Sequence, residues 1–269
     1  MIQPPPQVIG RMPMHKARLR NTLKKLQQLP FDRSNPVNVA MAPQETLDFL
    51  AMLVGLKPVC LVGRGFDDPD WIAGILTLAE DKRLHVVRGS KWHAQPEYQG
   101  LPDWYANLNT STSADDSVVY ISKSRTTADK VRQICDSGAI TMEQEGELLG
   151  YPLCCVKDHY YRNRCMHDAF SLMLHRSANG DEAEMKRIVR DDIGIQPETE
   201  EERTLIEQAV PGRFAPYTSI NICPDCADDA NSPAMCISKL YRALAERVDP
   251  GFAREVALNA VPSNSNRGR

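Results

Sequence analysis

Five of the eight cysteines fall in two short segments. One is Gly150-Tyr151-Pro152-Leu153-Cys154-Cys155; the other is Cys223-Pro224-Asp225-Cys226, followed by Cys236. Thiolate sulfur binds soft metal ions and attacks other sulfur, so thiols gathered this way point to a bound metal, an iron–sulfur cluster or a redox pair. Gly150 is suited to end one helix and Pro152 to open the next. The vicinal pair then lies in a first helical turn, where unpaired N–H groups and the helix dipole favour thiolate. Lys157 adds positive charge, and His159 lies one turn beyond Cys155 on the same face. Cys154, with His159 nearby, is therefore the expected reactive end of the site.

The spacing of Cys223 and Cys226 lets two sulfurs reach one ion from a tight turn. A zinc ribbon would bring a second C-x-x-C, which this chain lacks, and a regular ferredoxin spacing is also missing. A thioredoxin-like pair normally follows a strand in a β-rich unit, whereas this one falls among helices. The expected ligands are Cys154, Cys155, Cys223, Cys226 and Cys236, with His159 as the nitrogen alternative. Four of them would close a tetrahedral zinc site; three would leave an open position on zinc or on one iron of a cluster. Spacing does not separate zinc from an iron–sulfur cluster.

The run Leu148-Leu149-Gly150-Tyr151-Pro152-Leu153-Cys154-Cys155-Val156, with Cys223-Pro224-Asp225-Cys226 far downstream, resembles a prokaryotic family of unknown function. That family is marked by a Gly-Tyr-Pro-x-Cys-Cys signature and a later cysteine pair near a proline. The resemblance covers mainly residues 118–250 and implies that the two cysteine groups form one site. It implies no reaction. Where a histidine is expected just before the second pair, this chain has Ser219, Ile220 and Asn221.

Other segments offer less chemistry. Ser122-Lys123-Ser124-Arg125-Thr126-Thr127 follows a strand and opens a helix, so Ser124 and Arg125 are candidates to hold a phosphate or carboxylate of a cofactor. An N-terminal cap accounts for the same residues. Val62-Gly63-Arg64-Gly65-Phe66-Asp67 lacks the third glycine of a dinucleotide loop. Cys60 and Cys135 read as core.

The elements that must position these residues divide the chain in two. Short apolar runs at 58–62, 84–87 and 117–121 alternate with helical patterns, including a helix opened by Pro43 and capped by Gly55. This alternation predicts an α/β fold, α+β overall, with a small, mostly parallel three-stranded sheet. Beyond residue 141 the signals are helical, with separate helices over 152–162 and 165–176. The expected organisation is an extended arm (1–14), an α/β domain (15–140), a helical cysteine-bearing domain (141–262) and a flexible tail (263–269). The aromatic-rich stretch 89–116 reads as a loop or lid.

A formal net charge of −3 over 269 residues gives no bulk attraction to nucleic acid or to an anionic membrane. No apolar run is long enough to span a bilayer, and no secretory pattern opens the chain, so a cytoplasmic protein is expected. Residues 15–29 form a basic amphipathic pattern whose exposed face could meet an acidic protein partner. The expected function is an enzyme using a cysteine-bound zinc or iron–sulfur cluster on a small-molecule substrate. The alternatives are a structural zinc protein for partner binding and a thiol redox or sulfur-transfer protein using Cys154 and Cys155.

Overall fold

Most of the chain is helix, and its apolar faces close on a small sheet. A computed structural model describes residues 16–62, 68–90, 103, 117–137, 141–191, 193–210, 213–214, 217–219 and 221–259. In chain order the elements are α1 (Lys16–Gln27), α2 (Pro36–Val54), β1 (Cys60–Val62), α3 (Pro69–Asp81), β2 (His85–Ser90), β3 (Ser117–Ser122), α4 (Arg125–Ser137) and α5 (Met142–Leu149). They continue as α6 (Leu153–Ser177), α7 (Glu182–Arg190), α8 (Glu200–Ala209), β4 (Arg213–Phe214), β5 (Asn221–Ile222), α9 (Pro224–Asp228), α10 (Pro233–Val248) and α11 (Pro250–Asn259). The terminal segments, the glycine motif at 63–67 and nearly all of the aromatic-rich stretch lie outside the described residues. No described helix is long and apolar enough to cross a membrane.

The sheet corrects the expectation of mostly parallel strands. Its order is β1–β3–β2, and both pairings are antiparallel. Because β1 and β2 each oppose β3, they run in the same direction, as a strand–helix–strand unit through α3 requires. β3 then enters between them in the opposite sense. Alternation of strands and helices orients strands joined by a crossover, but it does not decide which strands become neighbours.

Residues alternate across the sheet, and both faces are covered. Cys60, Val62, Val119 and Ile121 face a core built with α1, α2, α3, α10 and α11. Val87, Val118 and Tyr120 face the other way, onto Ala128, Val131 and Ile134 of α4 and Leu148 of α5. Leu19, Leu23 and Leu26 of α1 are buried against α2 and the C-terminal helices, so that helix spends its apolar face inside the molecule.

Two helices differ from the sequence reading. α2 begins at Pro36, and Pro43 lies inside it rather than opening it. Gly55 does cap the helix, in the left-handed region at φ 81°. α6 is one helix of 25 residues, not two. Polar Asn163 and Arg164 do not break it, because Arg162–Asp158 (2.7 Å) and Arg164–Asp168 (2.9 Å) ion pairs one turn apart span the junction.

The far end of α6 is pinned to α8. Arg176 donates to Glu202 at 2.9 Å and to the Gln196 carbonyl at 2.8 Å, and it pairs with Glu198 at 2.8 Å. Glu202 also closes a capping box with Thr199. The Arg176 hydrogen bond, joined by backbone N–H groups of residues 198 and 199, pulls the Glu202 carboxyl down to about 2, against its burial. A lowered carboxyl contributes stability that is fully present above its unfolded value near 4.5 and is lost as pH falls towards 2. Glu202→Gln is therefore expected to cost about 1–2 kcal/mol at neutral pH. In denaturant titrations across pH, the gap to the parent should close between pH 4.5 and 2.

Candidate metal centre

Local sequence sets both halves of the cysteine site. Thr141 and Gln144 form a capping box that starts α5, and Gly150 ends it at φ 73°, with the Tyr151 N–H donating to the Gly146 carbonyl at 2.8 Å. A Cβ at Gly150 would stand 2.9 Å from Pro58, so both backbone sign and space call for glycine there. Pro152 is the N-cap of α6, one place earlier than expected, and puts Cys154 and Cys155 second and third in the helix. In the other half, Cys223 is the N-cap of α9 with Pro224 at its first position. One helical turn then brings Cys226 to the same side as Cys223. Ser232 holds the loop by donating to the Cys226 carbonyl at 2.7 Å while capping α10.

Tertiary packing joins the halves. The Sγ atoms of Cys154, Cys155, Cys223 and Cys226 all lie within 4.8 Å of one another. Cys154 stands 3.5 Å from Cys226, and Cys155 stands 3.7 Å from Cys223. Cys155, Cys223 and Cys226 are buried with Ile222 and Ala234, while Cys154 is open to solvent. These four cysteines are positioned to bind a metal ion.

The remaining sequence candidates fall elsewhere. Cys236 does not join the group; its thiol reaches the Asn231 carbonyl at 3.5 Å, because α10 carries it away from the α9 turn. His159 is not among the clustered ligands either: one ring nitrogen lies 3.1 Å from the Asn163 amide and the other 3.3 Å from that of Asn221. Ser124 caps α4 by accepting from the Thr127 N–H at 3.2 Å, and Arg125 lies 3.9 Å from Asp129. The expectation of a thiolate-favouring helix start is also corrected. Burial and the Cys226 thiol push Cys154 up to about 11, and burial pushes Cys155 up as well. Burial also acts to raise Cys226, but hydrogen bonds from Cys154, Cys223 and Cys155 outweigh it and leave that thiol lowered. At the start of α6, Cys154 and Cys155 thus hold their protons against the helix dipole.

Beside the cysteines lies a cavity of about 310 Å³, whose wall includes Cys155 and His159. Its polar floor was not singled out from the sequence. Lys57, buried at 3% exposure, pairs with Asp48 and donates to the Tyr151 hydroxyl at 3.2 Å. Tyr151 in turn bonds Ser219, which donates to Asp48 at 2.9 Å and closes the ring. Glu45 is buried on the same wall with its Oε2 unpartnered, as is Oδ1 of Asp48. Burial, then the Asp48 charge, pushes the Glu45 carboxyl up to about 8, with Lys57 pulling the other way. Burial would lower the Lys57 ammonium, but Asp48 and the Tyr151 and Tyr241 oxygens outweigh it and hold it well above its usual value. Across the cavity, Tyr160 donates to Glu145.

The signals for this floor were faint. Asp48 interrupts the apolar run 47–56, and Lys57 sits between a capping glycine and a strand. Both look like surface residues until the fold buries them.

Compared with known protein families, curated proteins and solved structures, the chain matches none.

Removing one partner of a buried ion pair strands the other charge. Lys57→Met is therefore expected to cost about 3–5 kcal/mol. Lys25→Met, which breaks the exposed pair with Asp81, is expected to cost about 0.5 kcal/mol or less. Urea unfolding of the two variants checks the contrast, and equal costs would contradict a buried network.

Proposed function

We propose that this protein is a zinc metalloprotein in which one ion, held by Cys154, Cys155, Cys223 and Cys226, ties the start of α6 to the α9 turn. The observation that carries this reading is the mutual approach of the four sulfurs, all within 4.8 Å. Zinc–sulfur bonds of about 2.3 Å in a tetrahedron put sulfurs about 3.8 Å apart, close to the 3.5 and 3.7 Å separations across the two segments. A four-iron cluster carries each cysteine on a different iron and spreads the sulfurs more widely, so the spacing favours a single ion. Four protein sulfurs leave no open position, which favours a structural role. The resemblance to the Gly-Tyr-Pro-x-Cys-Cys family supports treating the two segments as one site.

The ion's contribution is to hold the cavity wall. Cys155, one of its ligands, lines the cavity together with His159, Tyr151 and Ser219. An enzyme acting on a small molecule there is the second reading, favoured by the hydrogen-bonded ring of Lys57, Asp48, Tyr151 and Ser219. In that reading the chemistry belongs to this ring, not to the cysteines. Ser219 is exposed and would meet the ligand, while buried Lys57 and Asp48 orient the Tyr151 hydroxyl and Ser219.

Metal and sulfide analysis of anaerobically purified protein tests the reading. The expected result is one zinc per chain, no inorganic sulfide and no visible absorption. Cys223→Ser and Cys226→Ser are expected to lose most of the metal and melt at lower temperature, while Cys236→Ser keeps both. Labile sulfide with a visible spectrum, or unchanged metal in Cys223→Ser and Cys226→Ser, would overturn it.

A further inference from the structure

Basic residues from three segments that stand far apart in the chain meet in a second cavity, beside Leu53 near the C-terminal end of α2. This cavity measures about 290 Å³. Arg18 reaches it from α1, Lys82 and Arg83 from the α3–β2 turn, and Lys123 from the β3–α4 turn. Asn21 adds an amide, Leu53 and Leu84 supply the apolar wall, and no carboxylate is among the described residues that line it. A chain of net charge −3 has thus gathered four cations, from three separate segments, around one concavity.

Structural needs account for only part of this. Lys123 donates to the Leu53 carbonyl at 3.3 Å, one of the last carbonyls of α2. A helix C-terminus carries roughly half a negative charge, which suits one cation but does not balance four. Asp81, the acid that acts on Lys82, is engaged by Lys25 at 3.4 Å. Burial, then repulsion from Lys25, lowers the Lys82 ammonium; Asp81 opposes this and Arg18 adds to the repulsion. Arg83 sits just past the end of α3 at φ 55°, in the left-handed region where glycine or asparagine is usual, with its N–H donating to the Glu80 carbonyl at 2.8 Å. That turn leaves the Arg83 side chain among those lining the cavity.

We propose that this cavity binds a small phosphate-bearing anion, with Arg18 and Arg83 as forked donors and Lys82 and Lys123 as point charges. Arginine matches the paired oxygens of a phosphate group, and lysine adds charge without directional demand. The cavity's volume suits a diphosphate group with part of its carrier, and its Leu53–Leu84 wall suits an apolar portion of that carrier. This site is independent of the cysteine centre.

Isothermal titration of the full chain with inorganic pyrophosphate, at fixed ionic strength, tests the proposal. Pyrophosphate is expected to bind at least about tenfold more tightly than sulfate. Arg18→Gln and Lys82→Gln, both away from the packed core, should each weaken it by about tenfold, while Lys24→Gln on the outer face of α1 leaves it unchanged. Equal affinity for pyrophosphate and sulfate, or no loss in Arg18→Gln and Lys82→Gln, would overturn the proposal. So would a short oligonucleotide that outcompetes pyrophosphate and depends on the same two residues, since that would make the surface a nucleic-acid contact. Because the comparison of anions is made on the parent protein, the outcome does not depend on the variants folding.

Discussion

Four sulfurs within 4.8 Å of one another impose an electrostatic condition on everything around them. As thiols they crowd to 3.5 and 3.7 Å across the two segments; as thiolates they would repel at a separation where a cation between them restores balance. The elements on either side are built to maintain that approach. Gly150 turns the chain under Pro58, Pro152 starts α6, Pro224 starts α9, and Ser232 ties the α9 turn to α10. Each fixes local backbone direction, and the packing of these elements brings the four sulfurs together.

The cavity inherits its shape from the same arrangement. Cys155 stands between the sulfur group and the cavity, and the residue that ends the Gly150 turn, Tyr151, reaches the buried Lys57–Asp48 pair. The turn that leads into the cysteines therefore also sets the position of the Tyr151 hydroxyl, 94 residues away in sequence from its partner Lys57. Buried carboxyls and a buried ammonium are costly unless mutually engaged. Here Asp48 and Lys57 meet that condition, while Glu45 meets it by holding its proton, its carboxyl raised to about 8.

How much of this could be read beforehand depended on the range of the interaction. Gly55 and Gly150 as helix ends follow from local backbone preference and are present. The pairing of the two cysteine segments followed from the ligand count, because neither segment alone offers four sulfurs. Cys236 was wrongly included, since its position on α10 relative to the α9 turn depends on a loop that local pattern does not orient. Pro43 looked like a helix start because proline favours a first turn, yet Pro36 takes that place and the helix runs through. Asp48 and Lys57 were overlooked because a charged residue in an apolar helix, or in the loop that follows it, reads as solvent-facing until its partner is known.

The amino-acid sequence by itself determined the Gly55 and Gly150 helix ends, the strand segments and the two places where thiols concentrate. These depend on residues within a turn or two, where steric and hydrogen-bond preferences are decisive. Tertiary structure alone decided that β3 enters between β1 and β2, that the Lys57–Asp48–Tyr151–Ser219 ring closes, and that Arg18, Lys82, Arg83 and Lys123 face one hollow. Those outcomes depend on which surfaces meet. That choice is made by the burial of the whole apolar set, not by any segment's own preference.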